Sequence, residues 1–216
     1  MKLTRTSPPP GFMNSLATSY DAAAQQREQM GEADWRWPIA SRFRSMMRAE
    51  GKQRLLEIGA GVGFTSQWFA DRGADVVATD LSPAQVELCR AKGLEAHVRD
   101  MFDLGFPVAS FDAVWAMNCV HHVPSDAFGS VLGGIRDVLV PGGLFYLGVW
   151  GGYDAEGMYD DDFYPPPRFF CLRSDETLRR DVGAVFVVES FDTFVPEAHE
   201  DDGDVRHMQS LVLRRP

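Results

Sequence analysis

The residues with the most to say about chemistry lie in the stretch LLEIGAGVGF, Leu55 to Phe64. Leu55, Leu56 and Ile58 make the short apolar run of a buried parallel strand; Gly59, Gly61 and Gly63 follow at alternate positions, and a helical pattern begins at Thr65. A strand, a glycine turn and a helix start suit a nucleotide-like ligand. Glycine adopts positive φ and lets the backbone come close, and the first helical turn has free N–H groups. A tight packing turn is the other reading of the same glycines. Two acids favour the ligand. Glu57 sits inside the strand, where a carboxylate is costly to bury without a hydrogen-bond partner. Asp80 closes the next apolar run, Val76-Val77-Ala78-Thr79, about 20 residues past the glycines, where a doubly wound fold holds the two hydroxyls of a ribose.

A second group of reactive types follows the apolar run Ala113 to Met117, in the order Asn118-Cys119-Val120-His121-His122. Ligands of open α/β sheets bind at that carboxyl edge. The two histidines lack the i, i+4 spacing of a helical metal site and have no partner nearby in sequence, so no metal site is expected. Each can pack, bond a loop or serve as a base, as can an acid from Asp160 to Asp162. The dinucleotide fingerprint G-x-G-x-x-G, counted from Gly59, would need a third glycine where Phe64 stands. A Tyr-x-x-x-Lys proton donor is also absent, which sets a nicotinamide-dependent oxidoreductase behind the leading reading.

With Glu57 before it, the G-x-G-x-G spacing resembles the first motif, E-x-G-x-G-x-G, of the class I S-adenosylmethionine-dependent methyltransferases. Two more segments are similar to that family: the stretch from Phe111-Asp112 to His121-His122, and the turn Leu139-Val140-Pro141-Gly142-Gly143. The resemblance spans roughly Leu55 to Leu213. It implies a Rossmann-like α/β fold, with a seven-stranded, mostly parallel sheet, an antiparallel C-terminal hairpin and helices on both faces. It also implies S-adenosylmethionine as methyl donor and a small molecule as acceptor. The contacts it implies are Glu57, Gly59, Ala60, Gly61 and Gly63 near the methionine part, Asp80 and Leu81 at the ribose, Asp100 and Met101 at the adenine, and Asn118 and Tyr20 at the methionine end. His121 and His122 are the candidates for a catalytic base. A solvated loop acid is the other reading of Asp100, and a protein that binds the same compound without transferring methyl is the remaining rival.

These residues need elements to hold them. The 216 residues, 45% hydrophobic and 12% aromatic, suffice for one α/β domain. Residues 1–50 read as an arm, broken by Pro8 to Pro10, and two helices that either pad the sheet or cover the ligand; residues 51–216 read as the binding domain. Ser82-Pro83-Ala84-Gln85 signals a helix start, Gly73 and Gly93 signal helix ends, and Ser174 caps a further helix. Gly133 and Gly134, inside the helix that carries Phe128, Val131 and Leu132, suggest close approach to a neighbour. Residues 151–173 have neither strand nor helix period but many aromatics, and read as an insertion that helps build the acceptor pocket, or as an acidic loop. Val185 to Phe194 and Arg206 to Leu213 supply the closing hairpin, joined through Glu197 to Asp204.

The net charge of −10 and pI near 4.9 repel a polyanion, so nucleic acid is disfavoured; Arg42, Arg44 and Arg48 could form one small basic patch. Scattered Cys89, Cys119 and Cys171 and the absence of a long apolar run point to a reduced, cytoplasmic protein off the membrane. Nothing in the chain speaks to oligomeric state.

Overall fold

A computed structural model describes residues 3–4, 7–159, 161–196 and 206–216. The chain opens with β1 (Leu3–Thr4) and two helices, α1 (Phe12–Met30) and α2 (Arg36–Ala49). Strands and helices then alternate: β2 (Arg54–Ile58), α3 (Phe64–Ala70), β3 (Asp75–Asp80), α4 (Pro83–Ala91), β4 (Glu95–Val98) and β5 (Phe111–Met117). A 3-10 turn at Val120–His122 leads to α5 (Phe128–Val138) and β6 (Leu139–Gly151). The rest is β7 (Ala155–Tyr159), β8 (Phe169–Leu172), α6 (Asp175–Gly183), β9 (Val187–Phe194) and β10 (His207–Arg214).

Seven strands form one sheet in the order β4-β3-β2-β5-β6-β10-β9. The five from β4 to β6 are parallel, and β10 runs antiparallel to β6 and β9, as the sequence led one to expect. The chain moves outward from β2 to β4 and then crosses back to β5, so β2 and β5 flank the point where strand order reverses. Alternation in the strands sends Leu55 and Val76 to one face and Leu56 and Val77 to the other. On the first face α2 and α3 bring Phe43, Met47 and Phe69 against Trp115 and Tyr146, whose rings stack at 3.9 Å. On the second, Val131, Leu132 and Ile135 of α5 and Leu178 and Val182 of α6 complete the core. Full burial of each large side chain is worth about 1.5–3 kcal/mol, which is what holds the sheet between its helices. The helix signals act as read: Ser82 Oγ accepts from Gln85 N–H and Ser174 Oγ from Thr177 N–H, both at 3.2 Å.

Four expectations are corrected. Residues 151–173 hold two strands, and β1, β7 and β8 make a separate three-stranded sheet. Period analysis misses β8 because Phe169, Phe170, Cys171 and Leu172 are all buried, and β7 because Gly157 is its one buried residue; neither leaves an alternation to detect. Gly133 and Gly134 approach nothing: a Cβ on either would meet no atom within 4 Å. Leu139 to Gly143, expected as a turn, belongs to strand β6, which runs from Leu139 to Gly151; Gly142 N–H and Gly143 O bond Arg215. Finally, Arg44 is buried and donates to the carbonyls of Arg72 and Gly73, so it joins no surface patch with Arg42 and Arg48. Asp160 and the link Glu197 to Asp204 lie outside the described residues.

Candidate functional site

A cavity of about 390 Å³ opens at the carboxyl ends of β2, β3 and β5, beside the crossover. Its floor is the glycine turn. Gly59, Gly61 and Gly63 all have positive φ, at 69°, 58° and 89°, but for different reasons. A Cβ on Gly59 would lie 2.4 Å from Cys119 Cβ, and one on Gly63 would lie 2.8 Å from Cys89 Sγ; these two glycines let the turn pack closely on the segment after β5 and on α4. Gly61 faces the cavity, and its N–H donates to Asp80 Oδ2 at 2.8 Å. The other oxygen of Asp80 accepts from Ser82 N–H at 2.9 Å, so one carboxylate ties the glycine turn to the start of α4. Burial raises the Asp80 pKa.

Glu57 lies beneath the turn, hydrogen-bonded by Ser66 Oγ. Burial pushes its carboxyl up to about 8. Asn118, at the end of β5, takes a left-handed φ of 56°, a conformation asparagine tolerates better than most residues. Its N–H donates to Gly148 O at 2.8 Å, and its Oδ1 is buried without a hydrogen-bond partner among the described residues.

Helix α1 roofs this floor. Asp21 accepts from Ser82 Oγ and from Ala84 N–H, at the N-terminus of α4 where a negative charge is favoured. Glu28 pairs with Lys92 at the other end of α4, and Gln85 Nε2 donates to Tyr20 O. Ser19 Oγ reaches Pro166 O at 2.5 Å, so the helix bridges α4 and the segment before β8. Tyr20 lies 2.8 Å from His122 Nε2 and accepts from Arg168 at 3.0 Å. Arg168 in turn forks onto Asp162, at 2.7 and 2.8 Å.

Of the residues read from sequence, Tyr20, Glu57, Gly59, Ala60, Gly61, Asp80, Leu81, Met101, Asn118 and His122 line the one cavity. Gly63, Asp100 and His121 do not. Asp100 turns back to accept from Phe102 N–H, and its neighbour Arg99 lines the wall instead. His121 stacks on Phe170, with its pKa well below the usual value through burial and the adjacent His122. Sequence reasoning missed Arg27 and Arg36, which also line the cavity together with Glu32. Arg27 Nε is buried without a partner among the described residues, and Arg36 pairs with Glu32 at 3.0 Å. Charged residues on a surface helix ordinarily face water, so nothing in their spacing marks them. Among the described residues no cluster of three His, Cys, Asp or Glu side chains could hold a metal ion.

Residues 56–147 match the family model described as a methyltransferase domain. A ubiquinone biosynthesis O-methyltransferase of Xanthomonas oryzae pv. oryzae is 36% identical over 101 residues, which is 44% of this chain and 41% of that one. A 27-O-demethylrifamycin SV methyltransferase of Amycolatopsis mediterranei is 32% identical over 172 residues, 74% of this chain and 57% of the other. The chain therefore spans less than two thirds of the length of either relative. Among solved structures, the Burkholderia thailandensis 1,6-didemethyltoxoflavin-N1-methyltransferase shares the fold at a TM-score of 0.72 and 21% identity, covering 100% of this chain and 93% of its own. The motifs around the glycine turn, the sheet order and these likenesses place the chain among the class I S-adenosylmethionine-dependent methyltransferases.

Proposed function

We propose that this protein binds S-adenosylmethionine in the cavity above β2 and β5 and transfers its methyl group to a small-molecule acceptor. One observation carries the reading: a left-handed glycine turn, a buried acid that grips its backbone and an unpartnered asparagine oxygen surround one cavity under a helical roof. The residues present suit the compound. Arg27 Nε and Asn118 Oδ1 are buried polar atoms without partners among the described residues, each a cost of about 1–3 kcal/mol that a polar ligand removes. Arg27 and Arg36 match a carboxylate, Glu57 an ammonium, Asp80 a pair of hydroxyls, and Arg99 with Met101 the wall beside a planar base.

S-adenosylmethionine, when bound, supplies a methyl carbon on an electrophilic sulfonium. The work left to the protein is alignment and dryness. In this reading residues 1–50 are an arm and a lid, with α1 excluding water, and residues 151–173 back the acceptor side from behind, where Arg168 bonds Tyr20 and Phe169 O bonds His122. All three cysteines are buried free thiols, which supports a reducing, cytoplasmic setting. Among the described residues no helix is long and apolar enough to cross a membrane.

Calorimetry with S-adenosylmethionine and, separately, with NAD tests the binding step, and a screen with donor labelled in the methyl group tests transfer. Binding of the first compound and labelled product are the expected results. A cavity that takes NAD and refuses the sulfonium would return the nicotinamide reading to first place, and binding without transfer to any acceptor would favour the non-catalytic one.

A further inference from the structure

Tyr20, His122, Arg168 and Asp162 form a hydrogen-bonded chain whose direction is fixed at both ends. At one end the Asp162 carboxylate, fully shielded from solvent, accepts from two guanidinium nitrogens of Arg168, and Arg168 Nη1 donates onward to Tyr20 Oη at 3.0 Å. At the other, Phe169 O lies 2.7 Å from His122 Nδ1. A carbonyl can only accept, so the proton is on Nδ1 and Nε2 is bare. Tyr20 Oη, 2.8 Å from Nε2, must then donate to it. The single proton of Tyr20 is committed to His122 and one lone pair to Arg168, and a molecule in the cavity is offered the remaining lone pair. Asn118 Oδ1, unpartnered among the described residues, is a second accepting oxygen in the same lining.

We infer that this end of the cavity takes a hydrogen-bond donor, and that the Tyr20–His122 pair draws off the proton of a hydroxyl acceptor as its oxygen is methylated. The inference rests on the methyltransferase reading above and adds the acceptor atom. The relatives named above do not decide that atom, since their names include both O- and N-methylation. As the acceptor oxygen bonds the methyl carbon, the carbon–sulfur bond breaks and its electron pair stays on sulfur, leaving a thioether. The hydroxyl proton passes to Tyr20 Oη while the proton of Tyr20 passes to His122 Nε2. The resulting imidazolium keeps its Nδ1 bond to Phe169 O and gives up one proton to solvent after product leaves.

The relay itself favours oxygen: a neutral amine attacks through its own lone pair and needs no base, whereas a hydroxyl must shed its proton as it is methylated. Burial, with the charge of Arg168 adding to it, pushes His122 down to about 3. Such a group takes no proton from a resting phenol, whose pKa is about 10. It can take one from the strongly acidic oxygen that develops when a hydroxyl is alkylated.

The test uses ring compounds in matched sets of phenol, aniline and methyl ether. With S-adenosylhomocysteine bound, at least one phenol binds more tightly than its ether; with labelled S-adenosylmethionine, that phenol gains the methyl at oxygen faster than its aniline partner gains one at nitrogen. Tyr20→Phe and, separately, His122→Asn lower kcat on the phenol about 10²-fold or more while S-adenosylmethionine still binds. Nitrogen-15 spectra of the imidazole place the proton on Nδ1 of His122. The proposal is overturned if every phenol binds no better than its ether, if anilines are methylated in preference, if both variants keep full turnover, or if the proton lies on Nε2. Failure of the wild-type protein to bind S-adenosylmethionine at all strikes the underlying reading instead.

Discussion

The floor and the roof of the cavity are built by different means. The floor is backbone: three left-handed glycines, two strand ends and one carboxylate that bonds N–H groups, all set by residues close in sequence and packed on the sheet core. The roof is held by side chains reaching across long stretches of sequence. Tyr20 meets His122 across 102 positions, Arg168 meets Tyr20 across 148, and Ser19 meets Pro166 across 147. Helix α1 buries little apolar surface for its 19 residues, with Leu16, Ala23 and Ala24 its buried apolar side chains. A floor fixed by the core and a roof fastened by polar bonds suit a ligand that must be held in one geometry and then let go.

Damage to the floor has the largest expected effect. Gly59→Ala combines a strained positive φ with a Cβ 2.4 Å from that of Cys119, and should destabilise the fold by about 2–5 kcal/mol and abolish ligand binding, as read by thermal melting and calorimetry. Arg168→Met in the roof leaves Asp162 shielded and unpaired, a cost of about 3 kcal/mol. Its signature is local: hydrogen exchange rises in α1 and β8 more than in β2 and β5. If the two regions loosen together, floor and roof are one cooperative unit.

Glu57 sharpens the contrast through pH. Its folded pKa, near 8, is raised above the ordinary value of 4.5, so between those values the unfolded chain has released a proton that the folded one retains. Stability of the empty protein therefore falls as pH rises through that window, at up to about 1.4 kcal/mol per unit, and levels off above it. Glu57→Gln should flatten the dependence, which urea titrations at several pH values will read. The smallest effect lies far from the cavity: Gly133→Ala, with open space around it, should stabilise α5 by about 0.5–1 kcal/mol and leave turnover unchanged.

The same contrast explains what could be read from the chain. Strand runs such as Leu55 to Ile58, the Ser82 cap and the glycine spacing are local, and each is visible within a few residues. Sheet order and the cavity floor follow from them. The strands β7 and β8 are not visible, because β8 is a four-residue buried run after three prolines and β7 is half-buried on both faces, so neither has a period of its own. Asp162 read as one acid of an acidic run, but a partner six residues on, Arg168, takes both of its oxygens. Arg27 and Arg36 resemble any solvated helix charges until α1 and the start of α2 are brought to the cavity. Local chemistry was legible; pairings that exist only after docking were not.

The pair between Glu28 and Lys92, at 2.7 Å with side chains 32% and 19% exposed, leaves dissolved electrolyte able to act on one half of the site and not the other. Screening reaches a part-exposed ion pair and a carboxylate at a helix start far more than it reaches Trp115 stacked on Tyr146. Ionic strength thus becomes a handle on how long a guest stays, with the melting point of the host nearly untouched.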